Sequence, residues 1–166
     1  YGFYSSSQNE SNSKNADIVH AFESGVLADF LDKEKKVEAS AVVNELSSLK
    51  SKVGNFSGLF VISVKVSDEL SKKGLINEAK TVLESVKDLA KTDYMKFFFS
   101  LRMATIQEDL GDFNGAIASL QDALPLKIME NKIYLDLGRL YQKAGNLDKA
   151  KSSFHYVIEN DVQVEL

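Results

Sequence analysis

Apolar residues recur at every third or fourth position along most of the chain, the spacing that lines one face of an α-helix. The first stretch with this pattern contains Ile18, Phe22, Val26 and Phe30. A charged break at residues 32–36 follows, and the same spacing then runs from Ala39 to Val53. The pattern continues through the rest of the chain, which has a single Pro. The sequence therefore predicts an all-α fold of about eight helices.

A six-residue motif occurs three times between the predicted helices. It consists of Gly, any residue, a large apolar residue, Asn or Asp, any residue and Ala, and its copies begin at Gly74, Gly111 and Gly145. Gly lacks a Cβ and suits the left-handed conformation that ends many helices. The Asn or Asp at the fourth position can accept a backbone N–H at the start of the next helix. The motif predicts three helix–turn–helix units.

The units repeat with nearly constant spacing. Gly111 and Gly145 lie 34 residues apart, whereas Gly74 and Gly111 lie 37 apart. The difference places a three-residue insertion at residues 90–93, where Asp93 is predicted to cap the next helix. We predict one repeat domain over residues 15–166. It comprises a degenerate helix pair at residues 17–53 and repeats at about residues 58–90, 93–124 and 127–161.

Residues 1–14 differ from the rest of the chain. They open with Tyr-Gly-Phe-Tyr and continue with a run rich in Ser, Asn and Gln. Such a run has too little apolar surface to bury, so we predict a flexible segment. Because aromatic residues are common at membrane–water interfaces, the opening suggests a position beside a membrane.

The repeated residues resemble the tetratricopeptide family, whose units carry small residues where their two helices cross. The small positions are Ser67, Ala104 and Gly138 on the first helices and Ala79, Ala116 and Ala150 on the second helices. The third repeat fits the family pattern best, with Tyr134, Leu137, Tyr141 and Phe154 as its large residues. The second repeat has Gln107 where the family has an aromatic residue.

The resemblance implies an α-solenoid of antiparallel helix pairs that stack into a superhelix. The first helices of such repeats line its concave side, where a protein partner is expected to bind. We predict that residues one helical step from the small positions face this groove. They are Val64, Lys65, Asp68, Phe98, Leu101, Arg102, Thr105, Leu135, Arg139 and Gln142.

The run Phe97-Phe98-Phe99 allows two interpretations, because three consecutive side chains cannot all face one core. In the first, neighbouring helices bury all three rings. In the second, Phe98 is an exposed anchor for a partner, since aromatic residues are enriched at interface hot spots.

Charge and composition limit the function further. The chain has 20 basic and 24 acidic residues and a net charge of -4, which argues against a nucleic-acid partner. It has no Cys, which removes disulfides, thiol nucleophiles and Cys-based zinc sites. His20 and His155 lack a second His at a metal-ligand spacing, and no Gly-rich phosphate loop occurs. We therefore predict a protein without a cofactor, a metal site or catalytic residues.

The layout of the whole chain is similar to that of the YfgM-type proteins of Gram-negative bacteria. The shared features are the opening Gly2-Phe3-Tyr4 with its two aromatic residues, a polar run, one degenerate helix pair and three repeats. The resemblance implies a periplasmic domain held at the inner membrane by a helix that precedes residue 1. It also implies partners in the Sec translocon or a periplasmic chaperone.

These observations predict a non-catalytic interaction scaffold, tethered on the periplasmic side of the inner membrane and associated with protein export or chaperones. The alternative is a structural component that associates with itself in an envelope or secretion assembly. A cytoplasmic location is the alternative to the periplasm. The sequence leaves the oligomeric state and the identity of the partner open.

Overall fold

The computed structural model describes residues 2–161, and in that range it contains eight helices and no strand. Helix α1 comprises Gly2–Phe22, a π-helical turn at Glu23–Leu27 and a last turn at Ala28–Leu31. The other helices are α2 (Ala39–Val53), α3 (Ser57–Lys72), α4 (Ile76–Glu84), α5 (Asp93–Asp109), α6 (Phe113–Ala123), α7 (Glu130–Lys143) and α8 (Leu147–Asp161). The predicted all-α fold is confirmed.

The chain divides into two compact units between Leu89 and Ala90. The first unit contains α1 to α4 and the second contains α5 to α8. The predicted degenerate pair and first repeat fall in the first unit, and the other two repeats fall in the second. The boundary between the units lies at the predicted three-residue insertion, and the single repeat domain over residues 15–166 stays a prediction.

Helix α1 begins at Gly2, well before Asp17, where the apolar spacing predicts its start. Residues 2–14, predicted to be a flexible segment, are placed in this helix. Neither Gly nor Pro occurs between Phe3 and Ser24, so nothing in the backbone breaks the helix. The side chains of residues 9–14 are exposed, which explains why the apolar pattern does not show this part of the helix. Tyr1 lies outside the described residues.

The π-helical turn changes which side chains of α1 are buried. The sequence pattern places Val26 on the apolar face, but Leu27 is the fully buried residue and Val26 is half-buried. A π-helical turn contains one more residue than an α-helical turn, so it moves the buried face by one position. Phe22 and Phe30 are buried on either side of it, as their spacing predicts.

The three Gly turns have the conformation that the motif predicts. Gly74, Gly111 and Gly145 have φ values of 78°, 76° and 77°. In the last turn the N–H of Asn146 donates to the carbonyl of Tyr141 at 2.8 Å, and the N–H of Gly145 donates to Gln142 at 3.0 Å. The same pair of bonds closes the other two turns. These bonds satisfy carbonyl groups that the helix end leaves open.

The helix caps differ from the prediction. Asp112 and Asn146, at the second position of the motif, accept the N–H groups of Gly115 at 2.9 Å and Lys149 at 3.2 Å. The Asn or Asp at the fourth position already lies inside the helix, so it cannot act as the first capping residue. Thr92 similarly caps α5 in place of Asp93, which is the first helical residue.

The predicted small residues lie at the crossings of paired helices. Ser67 is buried and its hydroxyl donates to the carbonyl of Ala79 at 2.8 Å, joining α3 to α4. In the second unit, a Cβ on Gly138 would overlap the ring of Phe154. The core of this unit contains Phe97, Ala104, Ala116, Ile117, Leu120, Ala123, Ile133, Leu137, Leu140, Tyr141 and Ala150.

Candidate partner-binding surfaces

Helices α5 and α7 border a cleft of about 200 Å³ in the second unit. Four of the predicted groove residues line it: Leu101, Arg102 and Thr105 from α5 and Arg139 from α7. Lys132, Asp136 and Leu140 complete the α7 wall, and Ala104 and Leu120 lie among the other lining residues. The sequence pattern therefore identified residues from two different repeats that meet at one place. We name these lining residues the α5–α7 cleft.

An aromatic surface lies on α5 beside this cleft. Phe97 is 1% exposed, whereas Phe98 is 47% exposed and packs edge-on against Phe97 at 5.7 Å between ring centroids. Of the two interpretations of the Phe run, burial of all three rings is therefore wrong. Tyr94, one helical turn before Phe98, is 66% exposed. The two rings share a helix face with Arg102 and Thr105 because they are spaced by three or four residues.

Arg139 forms an ion pair with the carboxylate of Glu108. The guanidinium of Arg139 donates two hydrogen bonds to Glu108, one of them at 2.8 Å, and the ammonium of Lys143 reaches the same carboxylate at 2.6 Å. Arg139 is also 3.8 Å from Asp136, which accepts from Lys132 at 3.0 Å. Arg139, predicted to face the groove, is therefore a member of an ionic network with Glu108 and Asp136.

These bonds hold the pKa of Glu108 at about 2, below its ordinary value of 4.5, mainly through the hydrogen bond from Arg139 and despite partial burial. A carboxyl whose pKa is lower in the folded state stabilises that state above its unfolded pKa. The stabilisation that the Glu108 charge gives to the folded state is therefore complete above pH 4.5 and is lost as the pH falls toward 2.

We expect Glu108→Gln to lower the free energy of unfolding at pH 7 by about 1–2 kcal/mol, because Arg139 is half-exposed and water screens part of the attraction. Urea unfolding at pH 7 and pH 3 measures this, and the gap between the variant and the parent should shrink at pH 3. Asp122→Asn, at an exposed position of α6, is the matched control and should change stability by less than about 0.5 kcal/mol. An equal gap at both pH values would contradict the role of the Glu108 charge.

The predicted groove residues of the first unit lie elsewhere. Lys65 lines a groove of about 330 Å³ with Val19 and Glu23 from α1 and Val61 from α3. Its ammonium is 2.5 Å from Glu23, and this hydrogen bond lowers the pKa of that carboxyl. Val64 and Asp68 are half-buried on the same helix. Of these three residues of the first unit, Lys65 therefore lines the groove against α1.

Two predicted residues of α7 also lie away from the α5–α7 cleft. Leu135 is 52% exposed. Gln142 instead lines a groove against α8, with Leu147, Lys151, Phe154, His155 and Ile158.

The sequence interpretation missed Tyr94, Glu108, Lys132 and Asp136. Two signals were available in the sequence. Lys132 and Asp136 are spaced by four residues, which favours an ion pair on a helix. Tyr94 and Phe98 have the same spacing, which places two aromatic rings on one face. The contact between Glu108 and Arg139 has no such local signal because it joins two repeats.

No group of three or more His, Asp or Glu residues in the described part of the chain is arranged to hold a metal ion. Both histidines are exposed, and Nε2 of His155 is 3.1 Å from Glu159 in the same helix. Among residues 2–161, the structure has no helix with the length and apolar character required to span a bilayer.

A family model for the tetratricopeptide repeat matches residues 132–159, which form most of α7 and most of α8. A comparison with curated proteins gave no match. The matched residues include Gly138 and Ala150, the two small positions of the third repeat. The chain therefore carries a tetratricopeptide repeat within an all-α fold of paired helices, and such repeats generally mediate binding between proteins.

Proposed function

We propose that the chain is a non-catalytic scaffold that binds a segment of a protein partner across the α5–α7 cleft and the neighbouring Phe98. The observation that carries this proposal is that residues from two repeats line one cleft beside a half-exposed aromatic ring. Large aromatic residues supply much of the binding energy at protein interfaces, because they bury a large area at a small entropic cost.

The chemistry of the cleft limits the partner. Leu101 in the cleft and Phe98 beside it suit an apolar side chain of the bound segment. The ionic network that includes Arg139 joins the cleft residues Lys132 and Asp136 to Glu108 and Lys143 at its edge. Glu108 already orients the guanidinium of Arg139, and part of that guanidinium is exposed. A carboxylate of the partner can therefore pair with the exposed part, and little conformational entropy of the Arg139 side chain is lost on binding.

The cellular setting of the scaffold is proposed from the resemblance to YfgM-type proteins. In this setting a helix before residue 1 anchors the domain on the periplasmic side of the inner membrane, and the partner belongs to the translocon or is a periplasmic chaperone. Protease treatment of spheroplasts that express the full-length gene tests the location. Protection of the domain until the inner membrane is lysed would place it in the cytoplasm and remove this part of the proposal.

Site-specific photocrosslinking tests the binding surface. A photoreactive amino acid at Thr105, inside the cleft, is expected to give an adduct with a protein partner in cells. The same amino acid at Ala118, an exposed position of α6, is the matched control and should give little of that adduct. Adding Phe98→Ala should reduce the Thr105 adduct by about tenfold or more. A partner that crosslinks from Ala118 but not from Thr105 would contradict the proposed surface.

A further inference from the structure

The outer side of α8 is an apolar face without a neighbour in the described part of the chain. It borders a groove of about 550 Å³. Leu147 and Ile158, at its two ends, are 68% and 63% exposed, and Phe154 lies half-buried between them. Leu147 and Phe154 are seven positions apart and Phe154 and Ile158 are four apart, so the three side chains lie on one helix face. We name them, with Gln142, Lys151 and His155, the α8 groove.

The preceding repeat shows what covers such a face. Phe113, Leu120 and Leu124 stand 34 residues before Leu147, Phe154 and Ile158. Leu120 belongs to a buried core cluster, and Phe113 and Leu124 pack against it; α7 contributes Ile133, Leu137, Leu140 and Tyr141 to the same cluster. Gln121 also donates to the Tyr141 hydroxyl at 3.0 Å, and Lys143 lies 5.9 Å from the centre of the Phe113 ring. An amphipathic helix therefore covers the α6 equivalent of the α8 groove.

The charges of the two faces differ. Lys151 in the α8 groove stands at the position of Ile117, and the neutral Gln142 stands at the position of Glu108. Glu108 is the carboxylate that binds Arg139 and Lys143 of α7. Suppose that a helix docks on α8 as α7 docks on α6. Cations at the positions of Arg139 and Lys143 would then have no carboxylate at the position of Glu108, and the ammonium of Lys151 would lie in the same groove. In a symmetric contact between two copies, neither groove lining would offer a carboxylate to the Lys151 ammonium of the other copy.

We propose that the α8 groove binds an amphipathic helix of a partner protein. This helix presents large apolar residues with the spacing of those in α7, and carboxylates where α7 carries Arg139 and Lys143. The site is distinct from the α5–α7 cleft, and the two can be occupied by different partners.

A helical peptide derived from α7 tests the site directly. The acidic probe has the sequence of residues 130–143 with Arg139→Glu and Lys143→Glu, and the second probe has the native α7 sequence. Both carry a side-chain crosslink on the solvent face to maintain the helix. Fluorescence polarisation with the full chain is expected to show about tenfold tighter binding of the acidic probe at low salt. The variant Lys151→Glu should reverse that preference.

Two variants locate the binding. Leu147→Ser with Ile158→Ser should weaken the binding of the acidic probe by about tenfold or more. Val61→Ser, at an equally exposed apolar residue of α3, is the matched control and should leave the affinity for the probe unchanged. Circular dichroism should show native helicity for both, because the changed side chains are exposed.

Three results would overturn the proposal. The first is a lack of binding by the acidic probe, and the second is binding that does not depend on Leu147 and Ile158. The third is a concentration-dependent dimer in sedimentation equilibrium that Leu147→Ser with Ile158→Ser abolishes, which would assign the groove to a second copy. None of these measurements involves the α5–α7 cleft, so the proposed function can fail or hold independently.

Discussion

Replacing Phe97 with Ala is expected to lower the free energy of unfolding by about 3–5 kcal/mol, since the change leaves a large cavity in a packed core. The Phe97 ring is 1% exposed and belongs to the cluster that joins α5, α6 and α7. Hydrogen exchange of amides in α5 to α7 measures the effect in the second unit alone. Protection of these amides should fall by a factor that corresponds to the lost free energy.

Phe98→Ala is the control for this change, because it removes the same ring from the adjacent position. Phe98 is 47% exposed, so its loss should cost about 1 kcal/mol or less. Equal destabilisation by the two variants would mean that both rings are buried and would contradict the assignment of Phe98 to a binding surface.

Gly138→Leu is expected to destabilise the third repeat by about 1–3 kcal/mol through overpacking at the crossing of α7 and α8. The structure supplies the reason, since even a Cβ at this position would overlap the ring of Phe154. Thermal unfolding of the variant measures the loss. Gln142→Leu, an exposed position on the same helix, is the control and should change stability by less than about 0.5 kcal/mol.

A second substitution separates overpacking from the loss of Gly itself. Phe154→Ala removes the ring that a side chain at position 138 would strike, so it should offset part of the cost of Gly138→Leu. The double variant should therefore lose less free energy of unfolding than the sum of the losses in the two single variants. Fully additive costs would show that the two side chains do not meet.

The sequence predicts the turns and the crossings of this protein well because they depend on backbone geometry and on side-chain size. Gly145 must adopt a positive φ and Gly138 must be small, and each requirement selects a residue type directly. Gly111 and Ala104 stand 34 residues before Gly145 and Gly138. The same two requirements, a positive φ and a small side chain, are therefore predicted for them. The apolar spacing does not show the start of α1, because the side chains of residues 9–14 are exposed and leave no apolar pattern in this part of the helix.

The candidate site was only partly predictable for a related reason. Helical spacing placed Leu101, Arg102 and Thr105 on one face of α5, and the structure shows them lining one cleft. The charge state of that cleft depends on Glu108 and Arg139, which meet through the packing of two repeats. A repeat pattern also does not show which faces are covered: Leu147 has the same motif position as Phe113, but among residues 2–161 only Phe113 is covered by a further helix.

The affinity of the partner segment for surface variants tests the binding role of the α5–α7 cleft most directly. The segment is the one crosslinked at Thr105, and isothermal titration calorimetry measures its Kd. Phe98→Ala with Thr105→Trp, which removes the exposed ring and fills the cleft, should raise the Kd by about 30-fold or more. Ala118→Trp on α6 should leave the Kd unchanged. An unchanged Kd for the cleft variant, together with lost binding for the α6 variant, would contradict the proposed role of the cleft.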